Sequence, residues 1–134
     1  MKQLIVLSMC LIMLGCTSNH LNNVEEMLNS PIKDKMEYTG VVEEQWDDFH
    51  GDGYRIEAYK ILDVNFINDL AKNSHLKKFD RSSDNDVLNN THFAKHIING
   101  AGYYISAENA QHNEERIIVI DTVNNQLFYS YSYF

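Results

Sequence analysis

The sequence predicts an α+β domain: an antiparallel β-sheet of about five strands, with two or three short helices packed on one face. The predicted strands fall into two groups, and the predicted helices lie before and between these groups instead of alternating with single strands. Segregated strands and helices are typical of α+β folds. The strongest strand signals are residues 116–122, a continuous apolar run suited to the centre of a sheet, and residues 127–134, which alternate with the strand period of two.

The first half of the chain predicts a helix, a hairpin and a second helix. Apolar residues within 16–36 recur at helical spacing, and this helix ends before Pro31 because the residue preceding a proline avoids the α conformation. β-branched and aromatic residues in 38–46 and 54–62 predict two strands joined by a glycine-containing turn. Residues 63–73 predict a helix whose first residue, an aspartate, caps the free N–H groups of the first turn.

The second half predicts a loop, one further helix and three strands. Phe93, Ile97 and Ile98 would face inward from this helix, and Gly100 ends it because glycine readily adopts the left-handed conformation that follows a helix. In order, the predicted elements are a solvated loop at 80–86, a helix at 90–99, and strands at 102–108, 116–122 and 127–134.

The final strand carries a row of tyrosines on one face. Tyr129, Tyr131 and Tyr133 are two residues apart, so their side chains project from the same side of the sheet. Such a row either packs under the helix layer or stands exposed as a recognition surface for another protein. Both roles stay open from the sequence, and packing is the favoured one.

The start of the chain predicts a secretory signal. Lys2 supplies a positive charge, and residues 4–14 form an apolar run broken only by Ser8. This run is shorter than the ~20 residues that a helix needs to cross a bilayer.

The end of this run resembles the lipobox of bacterial lipoproteins. Met13-Leu14-Gly15-Cys16 places a small residue before the obligatory cysteine, although Met13 and Leu14 stand where Leu and Ala or Ser are commonest. The resemblance implies a diacylglycerol on the Cys16 sulfur, cleavage before Cys16, and an acyl chain such as palmitate on the new amine. Several buried acyl chains anchor a protein stably. The alternatives are a free Cys16 thiol or a disulfide to Cys10, but Cys10 lies inside the predicted signal.

These features predict three segments: a lipoprotein signal peptide at 1–15, a lipid-anchored tether with a short helix at 16–36, and a single globular domain at 37–134. Through the lipid on Cys16, the mature protein is expected to sit on a membrane of the bacterial cell envelope. In Gram-negative lipoproteins an Asp after the cysteine favours the inner membrane. The residue here is Thr17, which favours the periplasmic face of the outer membrane if the source is Gram-negative.

The charge of the chain excludes one class of partner. Lys and Arg number 11 and Asp and Glu number 19, for a net charge of −8. A nucleic-acid-binding protein needs a basic surface to displace counterions from phosphates, and no basic cluster exceeds the pair Lys77–Lys78. We therefore expect no nucleic-acid binding.

One turn carries residue types that are used in catalysis. These side chains can supply a general acid and base or oxygen ligands for a cation. They are Glu43, Glu44, Asp47, Asp48, His50 and Asp52. The alternative is an acidic, solvated hairpin tip. The hairpin tip is favoured, because the spacing matches no established calcium loop.

His92 and His96 are the weak candidates for metal binding. They are four residues apart and would share one helix face, as in zinc-binding HExxH helices. The sequence here, HFAKH, lacks the glutamate and offers no third ligand nearby. Because nucleophile, phosphate-binding and dinucleotide-binding motifs are also lacking, the sequence predicts no catalytic residues and no cofactor.

Together these observations predict a small acidic lipoprotein that is not an enzyme and that binds another protein of the envelope. An immunity or inhibitor protein directed at a basic toxin fits this description, since charge complementarity speeds association. An accessory to envelope assembly fits it equally. The alternative is an envelope enzyme or a metal-binding protein that uses the turn at 47–52.

The substitution Cys16→Ser tests the lipid anchor. We expect this variant to lose palmitate labelling and to leave the membrane fraction, because serine lacks the sulfur that the lipid modifies. The measurement is incorporation of labelled palmitate followed by cell fractionation, with Cys10→Ser as a matched control that keeps both properties. Continued labelling of the Cys16→Ser variant would rule out the anchor.

Overall fold

The computed structural model describes residues 21–47, 49–73, 75–83 and 86–134. The elements are, in chain order, helix α1 (21–28), β1 (Met36–Trp46), β2 (Gly53–Ile61), helix α2 (Val64–Asn73), β3 (Lys77–Asp80), a 3-10 helix (His92–Lys95), β4 (Ala101–Asn109), β5 (Glu114–Asp121) and β6 (Gln126–Tyr133). The strands form one sheet in the order β1-β2-β6-β5-β4-β3, and every neighbouring pair is antiparallel. The predicted signal peptide and Cys16 lie outside the described residues.

The α+β class is confirmed, whereas the predicted number of strands and the predicted packing of the helices are wrong. The sheet has six strands, because the edge strand β3 is only four residues long and too short to show a period. The predicted helix at 90–99 is a single 3-10 turn. Helices α1 and α2 cover one face of the sheet, and the segment 81–100 covers the other. Within the described part of the chain, no helix is long and apolar enough to cross a membrane.

The face covered by the helices contains the larger core. Val24 and Ile32 are fully buried there, so the described part of the predicted tether is packed into the domain. The strand predicted to be central, β5, lies between β6 and β4. The buried residues of this core are Val24, Leu28, Ile32, Met36, Tyr59, Ile61, Ile67, Leu70, Ile118, Ile120, Leu127 and Tyr129.

Helix α2 begins at the aspartate cap that the sequence predicts. Asp63 Oδ1 accepts the backbone N–H of Phe66 at 3.2 Å, and Lys35 Nζ donates to Asp63 Oδ2 at 2.9 Å. These two hydrogen bonds hold the pKa of Asp63 below its ordinary value, and the bond from Lys35 has the larger effect. The capping carboxylate therefore also ties α2 to the chain just before β1.

The opposite face of the sheet is covered by a segment with almost no regular secondary structure. Phe93 and Ile97 are buried as predicted and pack with Ile56, Val119 and Phe128 of the three central strands. The inward position predicted for Ile98 is wrong, because its side chain is 71% exposed.

One arginine holds the segment 81–100 together. Arg81 Nε donates to the carbonyl of Ile97 at 3.0 Å, and Nη2 donates to the carbonyl of Ala94 at 3.1 Å. Nη1 donates to the Asp86 carboxylate and, at 3.0 Å, to Asn89 Oδ1. The Asp86 side chain is 1% exposed, and a buried charge of this kind is tolerated only when it is paired and hydrogen-bonded. The loop predicted to be solvated at 80–86 is therefore partly buried.

The sequence predicts Gly100 as the left-handed residue that ends a helix, but glycine is needed at this position for a different reason. The left-handed residue at this point is Asn99, with φ of 54°. A Cβ at position 100 would lie 2.6 Å from Asp121 Oδ2 and 2.6 Å from Ile97 Cγ2. Glycine is thus required because there is no space for a side chain.

Replacing Arg81→Ala should lower the free energy of unfolding by about 3–5 kcal/mol, because the buried Asp86 carboxylate loses its cation. Urea unfolding followed by circular dichroism measures this loss. Lys72→Ala is the control, since the ion pair of Lys72 with Asp69 is exposed and contributes at most about 0.5 kcal/mol. A loss below about 1 kcal/mol for Arg81→Ala would contradict the role given to this arginine.

Candidate functional site at the hairpin end of the sheet

Aromatic side chains of β1 and β6 meet at one end of the sheet, where four neighbouring strands come into register. In the register of β1, β2, β6 and β5, Trp46 is opposite Gly53, Gly53 is opposite Tyr133, and Tyr133 is opposite Glu114. We call this region, residues 46–47, 49–53, 109–114 and 133–134, the hairpin end.

Trp46, Tyr131 and Tyr133 form what we call the aromatic cluster. The centroid of the Trp46 ring lies 6.0 Å from that of Tyr131 and 6.1 Å from that of Tyr133. The two tyrosine rings are 6.3 Å apart and meet edge to face, at an interplanar angle of 79°. Separations of 4.5–7 Å in tilted arrangements are the favourable ones for aromatic pairs, so the rings support one another.

Gly53 makes the position of the Trp46 ring possible. A Cβ at position 53 would lie 2.6 Å from Cε3 of the Trp46 indole and would also overlap the carbonyl oxygen of Gln45. Without that Cβ, the indole extends from β1 across β2 towards β6. The indole Nε1 donates to Glu44 Oε1 at 2.7 Å, so the polar atom of the ring has a partner.

The three tyrosines that the sequence aligns on one face differ in accessibility. Tyr129 is 1% exposed and belongs to the core, Tyr131 is half-buried, and Tyr133 is 39% exposed. Burial raises the pKa of both Tyr129 and Tyr131. Tyr129 therefore has the packing role that the sequence favours for this row and does not contribute to a recognition surface, whereas Tyr131 and Tyr133 keep accessible surface.

Two arginines flank Tyr131 in the sheet. Arg55 on β2 and Arg116 on β5 are its register partners on either side. Arg55 Nε lies 3.0 Å from Oε1 of Glu57, and Arg116 Nε donates to Glu114 Oε1 at 2.6 Å. Arg116 is thus hydrogen-bonded to its carboxylate, whereas Arg55 forms an ion pair with Glu57, whose side chain is completely buried.

The hairpin end and the strand residues next to it are acidic. The cations in this region are Arg55, Lys95 and Arg116. The carboxylates with described positions are Glu43, Glu44, Asp47, Asp52, Glu57, Glu108, Glu114 and Glu115. Carboxylates thus clearly outnumber cations at this end of the sheet.

A second polar cluster lies on the opposite face of the same strands. Glu43 on β1 accepts hydrogen bonds from the Tyr54 hydroxyl and, at 2.7 Å, from Lys95 Nζ. Nε2 of His96 lies 2.6 Å from Oε2 of Glu43. His92 stacks on the Tyr54 ring, with centroids 3.6 Å apart and planes within 13°. We call these side chains the Glu43 cluster; they join the segment 81–100 to the edge of the sheet.

The Glu43 cluster is poorly suited to proton transfer near neutral pH. Burial of the Glu43 carboxyl raises its pKa, but hydrogen bonds from Lys95, Tyr54 and His96 outweigh burial and lower the pKa from 4.5 to about 2. The bond to Glu43 raises the pKa of Tyr54 to about 12. A general base works best with a pKa near the operating pH, so this carboxylate acts as a fixed anion that orients its neighbours.

The structure does not place His92 and His96 as a metal-binding pair. The helix face that they would share is replaced by a 3-10 turn, so that His92 packs on Tyr54 while His96 contacts Glu43. Among the residues that the structure describes, no three His, Cys, Asp or Glu side chains are arranged to hold a metal ion.

The acidic turn stands in solvent. Asp47 accepts the backbone N–H of Phe49 at 2.8 Å and lies 3.1 Å from Nδ1 of His50. These contacts, that of Phe49 first, lower the pKa of Asp47. The Asp47 and His50 side chains are 51% and 74% exposed, and Phe49 is 96% exposed. Asp48 lies outside the described residues, and the backbone of Asp52 closes the turn by accepting the N–H of Asp47.

A cavity of about 500 Å³ lies near the other edge of the sheet, between β3, β4 and the loop after β3. Asp80 and Asp86 are among its lining residues. Both have structural partners: Asp80 accepts hydrogen bonds from the N–H and hydroxyl of Ser82, and Asp86 is paired with Arg81. Both carboxylates therefore serve the structure of the loop, and neither is positioned for acid–base chemistry in the cavity.

Replacing Glu43→Gln tests the depressed pKa of this carboxyl. Because the folded-state pKa lies below the ordinary value, Glu43 stabilises the fold fully above pH 4.5, and its contribution disappears as the pH falls towards 2. The stability difference between wild type and variant, from urea unfolding at several pH values, should shrink across this window. Glu108→Gln, an exposed carboxylate on β4, is the control. A difference that does not change between pH 5 and about pH 2 would contradict the assignment.

Sequence reasoning found Tyr131 and Tyr133 but missed Trp46 and Gly53 as their partners. The one signal for them was the position of a tryptophan and a glycine at the two ends of the predicted turn. A scan against protein-family models, a search of curated proteins and a search of solved structures each give no match to this chain.

Proposed function

We propose that this chain is a lipid-anchored domain of the bacterial cell envelope that binds another envelope protein through the aromatic cluster and does not act as an enzyme. The observation that carries this proposal is the convergence of Trp46, Tyr131 and Tyr133, with Arg55 and Arg116 opposite Tyr131 on the two neighbouring strands. Tryptophan, tyrosine and arginine are the residues most enriched at the energetic centres of protein interfaces.

The arrangement of the cluster also suits binding. Its rings stand on paired strands, and each ring packs on the other two. Side chains that are already ordered lose little conformational entropy when a partner covers them. Tyr133, 39% exposed, extends the aromatic surface to the tip of the hairpin end, whereas Phe134, 65% exposed, follows it at the border with the opposite face, beside Ser132.

The anchor that we propose on Cys16 would hold this surface close to a membrane. Val24 is already part of the core, and residues 16–21 can span no more than about 17 Å at ~3.5 Å per residue. A partner would therefore be met at the membrane surface. A partner at the periplasmic face of an outer membrane is expected if the source is Gram-negative. An immunity or inhibitor role and an accessory role in assembly both fit.

Site-specific photocrosslinking in living cells tests the proposal. A photoreactive phenylalanine analogue at position 134 should yield one discrete crosslinked product, because this exposed position directly follows Tyr133 and lies within reach of a partner that covers the cluster. The same analogue at position 123, which is 59% exposed on the turn at the far end of the sheet, should not. Tyr133→Ala should reduce the yield at position 134 at least about fivefold, since truncating an interface centre costs more than about 1 kcal/mol.

Val64→Ala, which truncates another exposed side chain on α2, is the control that should leave the yield unchanged. Circular dichroism shows whether each variant stays folded. The proposal is overturned if position 134 yields no discrete product, or if Tyr133→Ala and Val64→Ala have the same effect.

A further inference from the structure

We propose that the partner is basic and places a lysine or arginine side chain against the aromatic cluster. This inference rests on the proposed function and adds the chemistry of the partner. It follows from three features of the hairpin end: the orientation of the rings, the state of the two arginines, and the charge around them.

The aromatic rings provide a surface that attracts cations. The face of an aromatic ring carries partial negative charge, and a cation within about 6 Å of the ring centre is stabilised by it, most strongly over tryptophan. The Trp46 and Tyr133 rings lie at 41° to one another, and both retain accessible surface. A guanidinium or ammonium group can therefore approach the outer side of the cluster.

Both arginines of the site already lie next to carboxylates. Arg55 lies 3.0 Å from Glu57 and 4.0 Å from Glu44, and Arg116 is bound to Glu114. An anionic partner would therefore compete with carboxylates that are already in place. The Arg55 side chain is also only 24% exposed.

The charge around the cluster favours a cation over an anion. On the face that carries the cluster, Glu44 accepts the indole N–H, and Glu114 is opposite Tyr133. Glu57 and Glu26 lie on the same face beside Arg55 and Arg116, so that carboxylates outnumber the two arginines there. At the opposite end, around the first residues of β1, lysines and carboxylates alternate, as in Lys33 and Asp34. A basic segment would gain attraction at the hairpin end, whereas an acidic protein or an anionic lipid surface would meet like charge.

Charge reversal in the crosslinking experiment tests this inference on the natural partner. Asp52→Lys reverses an exposed charge on the turn between β1 and β2, one residue before Gly53, and leaves the bond between Trp46 and Glu44 intact. Glu37→Lys makes the same change in net charge at the far end of the sheet, where Glu37 is exposed on β1. We expect Asp52→Lys to lower the yield at position 134 several-fold, and Glu37→Lys to leave it close to that of the parent chain.

The outcomes separate the inference from the proposed function. If the parent chain gives no discrete product, the proposed function fails. A second result is that the parent chain gives a product but Asp52→Lys does not lower its yield, or lowers it no more than Glu37→Lys does. In that case the basic partner is excluded while the proposed function stands.

Fluorescence of the purified mature domain provides a second, independent measurement. Trp46 is the single tryptophan of the chain, so its emission reports directly on the cluster. Titration with the peptide acetyl-Gly-Arg-Gly-Arg-Gly-amide should give a saturable change that Tyr133→Ala weakens about two- to fivefold and that weakens further when salt is raised to about 0.5 M. The matched peptide with Glu in place of Arg should give none.

Vesicles distinguish a membrane from a protein as the source of the change. Vesicles of phosphatidylcholine with phosphatidylglycerol should leave the Trp46 emission unchanged. A blue shift with these vesicles and no change with the arginine peptide would overturn the inference in favour of a lipid surface. Equal responses to the arginine and glutamate peptides would overturn it as well, because recognition would then be independent of charge.

Discussion

The Arg81 guanidinium holds the segment 81–100 over the second face of the sheet through its hydrogen bonds. The segment 81–100 has one 3-10 turn and no longer helix among its described residues, so its own backbone hydrogen bonds cannot fix its path. Arg81 supplies this path by binding the carbonyls of Ala94 and Ile97 and the buried carboxylate of Asp86. Because unpaired charges are costly in a core, the three groups constrain one another. The apolar residues of the segment are thereby held over the central strands.

The same segment fixes the edge strand that carries the tryptophan of the aromatic cluster. Glu43 points to the loop-covered face, where Lys95 and His96 bind it, and the next residue, Glu44, points to the other face, where it holds the Trp46 indole. A register shift lies between Val41 and Glu43, and a bulge of this kind re-aims the side chains that follow it. The contacts of Glu43 on one face thus position the aromatic cluster on the other.

The sequence revealed those parts of the molecule that depend on local periodicity. Alternation in 127–134 placed Tyr131 and Tyr133 on one face, and the apolar run 116–122 identified a central strand; both follow from the period of two. The helix predicted at 90–99 does not form, because Arg81 and the sheet impose a path that helical spacing cannot reveal. Two contacts could not be predicted because no local sequence pattern indicates them. The contact between Glu43 and His96 joins residues 53 positions apart. The approach of Trp46 to Tyr133 requires the register of a bulged hairpin.

The glycine at position 53 indicates that the aromatic cluster has a role beyond packing the core. Glycine inside a strand weakens it, because it adds backbone entropy to the unfolded chain and packs no side chain. A β-branched residue would suit β2 better if the strand had only to hold the sheet together. Gly53 instead leaves the space that the Trp46 indole occupies, and the indole then joins Tyr131 and Tyr133 in a rigid surface beyond the helix layer. Ordered aromatic groups lose little further conformational entropy when a partner binds them. The stability that β2 loses at Gly53 is therefore offset by a preformed surface, which is the property that a binding site requires.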